Sequence, residues 1–262
     1  EEVDESLNQV VDNASASVEL GEGEPTFTLQ ALKSFESESN DPLYGFTQFS
    51  GTRTDDETTV NIGVGIRALD HSRTMLFGTN AFYDRQLDEG HERMGVGFEI
   101  VSTPLKLNAN RYFALSEKKR ISSTISQQAL DGRDLKFKGA LPYFPGLFAG
   151  YTDFKWYGVD GGSDLQGQKY GLSGQLSDSF DIKVDRTTYD SGQSGHNSVM
   201  LTYNYVDQKG WSPRLYELSP IPWQLRPISD HERYQFVDRE NEIVKQTAST
   251  SGSGLAITFS SI

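Results

Sequence analysis

Four histidines, 37 acidic residues and no cysteine bound the chemistry this 262-residue chain can perform. His71, His91, His196 and His231 never stand four apart or at any other metal-ligand spacing. The first three fall in segments that read as surface loops, where a solvated imidazole is expected. Without cysteine there is no disulfide, no Cys-ligated zinc, no iron–sulfur cluster and no thiol nucleophile. Gly95-x-Gly97 and Gly171-Leu172-Ser173-Gly174 are not phosphate loops, because no helix follows to present its N-terminus to an anion. Ser173 lacks the full Gly-x-Ser-x-Gly of a nucleophile elbow. The run Val159-Asp160-Gly161-Gly162-Ser163-Asp164 has the oxygen density that calcium favours, but not the spacing or terminal Glu of an EF-hand, so it reads as a polar loop. The carboxylates mark no paired acid–base site. No enzyme, catalytic residue, metal or cofactor is expected from this set.

The charged residues are instead organised by period two. Val60, Ile62, Val64 and Ile66 alternate with Asn61, Gly63, Gly65 and Arg67. Met94, Val96, Phe98 and Ile100 alternate with Gly95, Gly97 and Glu99. Leu105, Leu107, Ala109 and Phe113 alternate with Lys106, Asn108, Asn110 and Tyr112, and Arg111 is the exception on the apolar side. Leu135 and Phe137 alternate with Lys136 and Lys138, and Phe180, Ile182 and Val184 with Asp181, Lys183 and Asp185. Such alternation is the signature of strands with one apolar face. About twelve segments carry it: 15–22, 26–37, 42–54, 58–70, 73–87, 91–102, 105–117, 134–144, 147–158, 169–178, 179–190 and 197–206. Long polar connections (118–133, 159–168, 191–196) come only at every second junction, and the junctions between them are tight. An up-and-down meander has this character when one barrel end carries turns and the other loops.

Composition narrows the class. The net charge of −13 argues against non-specific nucleic-acid binding. Hydrophobic content is only 35%, yet aromatics reach 11% and there are 25 glycines, which points to turn-rich β structure rather than disorder. No apolar run is long enough for a transmembrane helix, which does not exclude a membrane barrel. The chain opens without the basic start and apolar stretch of a signal peptide, so it reads as cytoplasmic or as a mature form.

The alternation alone fits two folds. A soluble sandwich or lipocalin-like barrel would bury the apolar face; an outer-membrane barrel would turn it to lipid and line its lumen with the polar one. Twelve strands make a barrel too wide to fill with aliphatics. Opposite charges on the polar face can neutralise one another across a bore. Tyr83, Phe113, Tyr143, Phe144, Trp156, Tyr157, Tyr203 and Tyr205 sit near strand ends, where an interfacial girdle belongs.

One stretch is more specific. A strand ending Asn80-x-Phe82-x-Asp84 is followed by Arg93-x-Gly95-x-Gly97-x-Glu99 and then by Asn110-x-Tyr112-Phe113. Gly139-Ala140-Leu141-Pro142 and the run 233–243 add supporting matches. From about 15 to 245 the chain resembles the β-domain of the intimin/invasin adhesins, the inverse autotransporters of Gram-negative outer membranes. The resemblance implies an all-β fold: a transmembrane, antiparallel up-and-down barrel of about twelve strands with a C-terminal segment folded back into the pore. It implies a periplasmic N-terminal segment at 1–14, the barrel at 15–206, a turn-back and pore segment at 207–246 and a tail at 247–262. The lumen-lining set is then Arg67, Asn80, Asp84, Glu99, Lys106, Asn110, Lys136, Lys138, Asp181 and Lys183. The pore segment would present Arg233, Tyr234, Arg239, Glu240 and Asn241 to it. Expected partners are outer-membrane lipid, the barrel-assembly machinery and the chain's own C-terminal passenger, with the barrel monomeric. The expected role is anchor and translocator for a surface-exposed adhesin. The alternative is a passenger-less plugged barrel or porin, because only about 16 residues follow Gln246.

Read from the residues themselves, 1–14 have helix-like spacing and 229–246 are charged enough for a helix or a plug. Thr247–Gly254 read as a Ser/Thr/Gly linker, and Leu255, Ile257 and Phe259 as a short final strand.

Overall fold

The structure is a computed structural model that describes residues 10–36, 41–190, 193–205, 213–251 and 254–259. Residues 1–9 of the proposed helix at 1–14 lie outside the described residues, and β1 already begins at Asn13.

Twelve strands close into one barrel. They are β1 (Asn13–Leu20), β2 (Thr26–Phe35), β3 (Leu43–Thr54), β4 (Glu57–Leu69), β5 (Met75–Gln86), β6 (Glu92–Ser102) and β7 (Leu105–Ala114), then β10 (Gly132–Leu141), β11 (Phe144–Trp156), β12 (Leu165–Gln175), β13 (Phe180–Tyr189) and β14 (His196–Asn204). Every barrel strand pairs antiparallel with its neighbours in chain order, and β14 returns to β1 with Val18 opposite Leu201. Closure leaves no unpaired edge.

One end of the barrel, the turn end, carries the connections 36–42, 70–74, 103–104, 142–143 and 176–179. The other, the loop end, carries 115–131, 157–164 and 190–195. The 118–133 connection is not a plain polar loop. It contains a hairpin of β8 (Lys119–Arg120) and β9 (Ile125–Ala129). The 247–254 stretch is not a linker either: β15 (Lys245–Ser251) pairs with β9 and with β16 (Gly254–Phe259). Both were hidden because Ser, Thr and Gln carry no apolar alternation to betray a strand.

The barrel is apolar outside and polar inside. Val64 and Ile66 are 60% and 55% exposed, whereas Arg67, Asp84, Arg93 and Glu99 on the same sheet are at most 2% exposed. A soluble sandwich requires the reverse. Period two delivers this result because a strand of ten residues presents alternate side chains to alternate faces without a break. Most of the expected girdle is outward, with Tyr83, Tyr143, Tyr203 and Tyr205 exposed. Trp156 is a correction. It is 1% exposed and points inward, packed on Tyr112 at 5.0 Å between ring centroids, because it shares the inward face of β11 with Phe154.

Candidate functional site

The bore is threaded by the chain itself. After β14 the described chain resumes at Pro213 and follows the turn end around the rim. Arg214 pairs with Asp178 at 2.8 Å, and Leu215 donates to the Gln175 carbonyl. Ser219 and Pro222 bracket Tyr143 through main-chain bonds, and Trp223 Nε1 donates to the Ala140 carbonyl. Thr103 donates to the Gln224 carbonyl, and Ile228 to that of Arg73. This rim strap thus ties the turns of successive hairpins before a single helical turn, α1 (Asp230–Arg233), redirects the chain into the lumen. The Glu232 carboxylate stabilises that turn by accepting from the Ser229 backbone and from both Arg226 Nη atoms. Within 229–244 only these four residues are helical; the rest is irregular and extended, so the charge pattern there marks a plug rather than a long helix.

An extended segment crossing a bore has no ladder to satisfy its amides, and a buried unpaired amide or carbonyl is costly. Wall side chains take the ladder's place. The Arg233 carbonyl accepts from Arg67 Nη1 at 2.7 Å and from the Tyr44 hydroxyl at 2.8 Å. Asn13 donates to the Tyr234 carbonyl, and the Val237 amide donates to Gln48 Oε1 at 2.9 Å. The Asp238 carbonyl accepts from Asn110, that of Glu240 from Arg93 Nη2, and that of Asn241 from Asn61. The Glu240 amide donates to the Tyr112 hydroxyl, which itself donates to Asp134 at 2.7 Å.

Side-chain ion pairs fix the register. Arg239 grips Asp84 with two N–H groups, and Arg93 Nε holds the same carboxylate at 2.7 Å. Asp238 is held by Lys136 at 3.0 Å and by Lys138. Arg233 pairs with Glu36 at 2.9 Å, and Lys106 donates to Gln235. Arg67 is itself oriented by Glu99, at 2.7 and 3.2 Å. Apolar contacts add staples at three heights: Ile228 among Tyr44, Leu69, Leu76 and Val101; Val237 among Leu32, Phe46 and Phe82; and Val244 among Tyr112, Leu130, Phe154, Trp156 and Leu165.

The sequence-derived residues divide into three groups. Arg67, Asp84, Lys106, Asn110, Lys136 and Lys138 touch the pore segment directly, and Glu99 acts through Arg67. Asn80 is buried beside Gly97, and its Nδ2 makes no hydrogen bond among the described residues. Asp181 and Lys183 stay on their own wall, bonded to Asn204 and Asp185. On the segment, Arg233, Tyr234, Arg239, Glu240 and Asn241 all contact the wall. Sequence reasoning did not single out Tyr44, Gln48, Asn61, Arg93, Tyr112 or Asp134 as wall contacts. The signal was present for Arg93, in phase with Glu99, for Asp134, in phase with Lys136, and for Asn61 and Tyr112, in phase with Arg67 and Asn110; Tyr44 and Gln48 carried none. The grip is also one-sided. Among the described residues its hydrogen bonds to barrel strands come from β1, β3–β7 and β10, with Glu36 and Asp41 added at the turn end and Val159 at the loop end. A cavity of about 250 Å³ separates the segment from β11–β14 at the turn end, lined by Phe148, Ser173, Met200 and Thr202.

The spaced motif residues converge here. Phe82 lies under the Arg239 guanidinium at 4.3 Å, Gly95 leaves room for it, and Asn80 and Asn110 flank Gly97. No group of three or more His, Asp or Glu positioned for a metal occurs among the described residues. His91 is a second correction. It is fully buried at the loop end, not solvated, because the folded 115–131 connection covers it.

Residues 1–241 match the inverse autotransporter β-domain family. The chain belongs to that family. It is 27% identical over 215 residues to the inverse autotransporter adhesin YeeJ of Escherichia coli K12, covering 79% of this chain and 9% of that one. To the invasin of Yersinia enterocolitica it is 30% identical over 210 residues, covering 76% and 24%. To the intimin of Escherichia coli O157:H7 it is 25% identical over 240 residues, covering 85% and 25%. The chain therefore spans a quarter or less of each of these relatives. A membrane protein solved in a study of in-meso crystallization shares the fold, with a TM-score of 0.73 at 23% identity over 90% of this chain and 99% of that one. As an inverse autotransporter β-domain, this barrel resides in a Gram-negative outer membrane, and its exposed apolar band is the lipid-facing surface.

Proposed function

We propose that this β-domain anchors, and serves as the export path for, a surface-exposed adhesin passenger that continues from its C-terminus. The observation that carries the reading is the course of residues 229–246. They enter at the turn end, cross the whole lumen and leave at the loop end, still held by the wall. The turn end then faces the periplasm and the loop end the exterior. A polar bore suits this task, since charged and amide side chains can pair with any backbone that passes. Afterwards the same groups hold the last stretch and close the pore. Insertion would depend on the barrel-assembly machinery, and the barrel would work as a monomer. No covalent chemistry is required of it. The filled lumen speaks against an open diffusion porin.

The test is an epitope tag placed after Ile262, with the protein expressed in a Gram-negative host carrying a signal peptide. Antibody and protease should reach the tag on intact cells. A tag reached only after the outer membrane is permeabilised would leave a plugged structural barrel as the function.

A further inference from the structure

The hairpin β8–β9 stands at the loop end, outside the barrel sheet, and its strand β9 is paired along its full length with β15, from Ala129 opposite Lys245 to Ile125 opposite Ser249. The pairing begins where the bore ends, with the Leu130 amide donating to the Val244 carbonyl at 3.0 Å. At this point the emerging chain exchanges side-chain partners for a main-chain ladder. Two side chains hold the junction. Lys245, 2% exposed, pairs with Glu57. Gln246 accepts from the Val159 amide at 3.1 Å and donates to the Val159 carbonyl at 2.9 Å. Gly162 makes room for it, since a Cβ there would lie 2.3 Å from Gln246 Oε1.

We propose that β8–β9 is a strand-docking site for the chain that emerges from the bore, and that capture by β9 opposes its return. The proposal rests on the export reading above. Main-chain pairing reads no side-chain identity, so one edge can receive whatever extended residues come past it. The composition of β9, Ile-Ser-Gln-Gln-Ala, fits an edge that must wait unpaired. It is polar enough to be solvated and to resist pairing with stray chains. Each residue captured adds ladder bonds outside the membrane, which biases a fluctuating chain outward without any energy source in the barrel.

The test uses the full chain with the C-terminal tag. One variant carries Ser126→Pro and Gln128→Pro, which remove ladder donors from β9. A second replaces residues 247–249 with Val-Thr-Val, changing the side chains but keeping a β-prone backbone. Retention of the folded, heat-shiftable gel band establishes that each barrel is intact. In the proline variant, amide exchange over 245–249 should quicken by about tenfold or more, and the tag should reach the surface several-fold more slowly in a pulse-chase. The Val-Thr-Val variant should keep native values of both. An intact proline variant with unchanged arrival would overturn the docking role. So would a Val-Thr-Val variant as impaired as the proline one, since side-chain identity would then be what matters. A tag that never surfaces in the unaltered chain would defeat the export reading, and with it this one.

Discussion

Arg239 of the pore segment and Asp84 of β5 form a two-pronged ion pair, at 2.9 and 2.6 Å, with neither side chain more than 2% exposed. Arg93 approaches the same carboxylate, so one anion balances two guanidiniums. Removing it would strand both cations. Asp84→Ala is expected to cost about 3–5 kcal/mol, the range for breaking a buried pair on one side. Arg239→Ala should cost less, because Arg93 and Asn61 remain to satisfy the carboxylate. A double-mutant cycle on the temperature of the folded-to-unfolded gel shift measures the coupling. Equal costs for the two single variants would show that the segment, not the wall, carries the penalty.

Inward-facing glycines of β4 and β10 are seats for aromatic rings of neighbouring strands. A Cβ at Gly63 would fall 2.3 Å from the Phe82 ring, and one at Gly132 would fall 2.1 Å from Trp156. Phe82 in turn supports Arg239 and touches Val237, so displacing it disturbs the grip as well as the wall. Gly63→Ala should destabilise the barrel by about 1–3 kcal/mol through overpacking. It should also raise trypsin cleavage after Arg239. Gly51, with nothing near its would-be Cβ, is the control; Gly51→Ala should leave both readouts unchanged.

The parts of this molecule that follow a local rule were legible, and those set by partners across the lumen were not. Arg67 and Asp84 could be placed inside because their neighbours Ile66 and Tyr83 had to point out. The same rule put Trp156 in the girdle only when its nearness to a strand end was weighed above its phase with Phe154. Gln48 and Asn61 each hold the pore segment by a 2.9 Å hydrogen bond to its backbone. An uncharged amide on a polar face carries no mark of its partner, however, because that partner lies some 180 residues away in sequence. β9 and β15 were missed for a related reason. Each is a strand because the other pairs with it, and neither has an apolar face.

Asp238 gathers Lys136 and Lys138 from β10 and lies next to the unfilled half of the lumen. Asp238→Asn keeps the size of the side chain but loses the charge that draws these two lysines to the segment. The ungripped side offers the loosened segment room to move. In planar bilayers the unaltered barrel should stay closed, with brief openings at most. Asp238→Asn should open more often, while its gel shift remains that of a closed barrel. The paired variant Lys136→Met, Lys138→Met should open in the same way, because it breaks the same contact from the wall. Silence in both would mean that the remaining contacts, the Arg239–Asp84 pair and the backbone bonds from Arg67, Gln48 and Arg93 among them, keep the pore shut.

His91 is expected to make the loop end sensitive to acid. Burial, with the ammonium groups of Lys245 and Lys119 close by, pushes its imidazole down to about 4 from an ordinary 6.5. Its Nδ1 faces Ser116, and Gln127 of β9 lies against the ring, so protonation would add a third cation beneath the strands that hold the emerging chain. The folded state binds fewer protons here than the unfolded one between these two values. This contribution to stability is therefore complete above about pH 6.5 and is lost progressively as the pH falls toward 4. His91→Gln lacks the titration. At pH 8 the variant should melt at or slightly below the temperature of the unaltered chain. By pH 5 the gap should close or reverse, and protease access to residues 245–259 should rise only in the unaltered chain. Parallel pH profiles for the two proteins would instead assign the acid response to carboxylates elsewhere at the loop end.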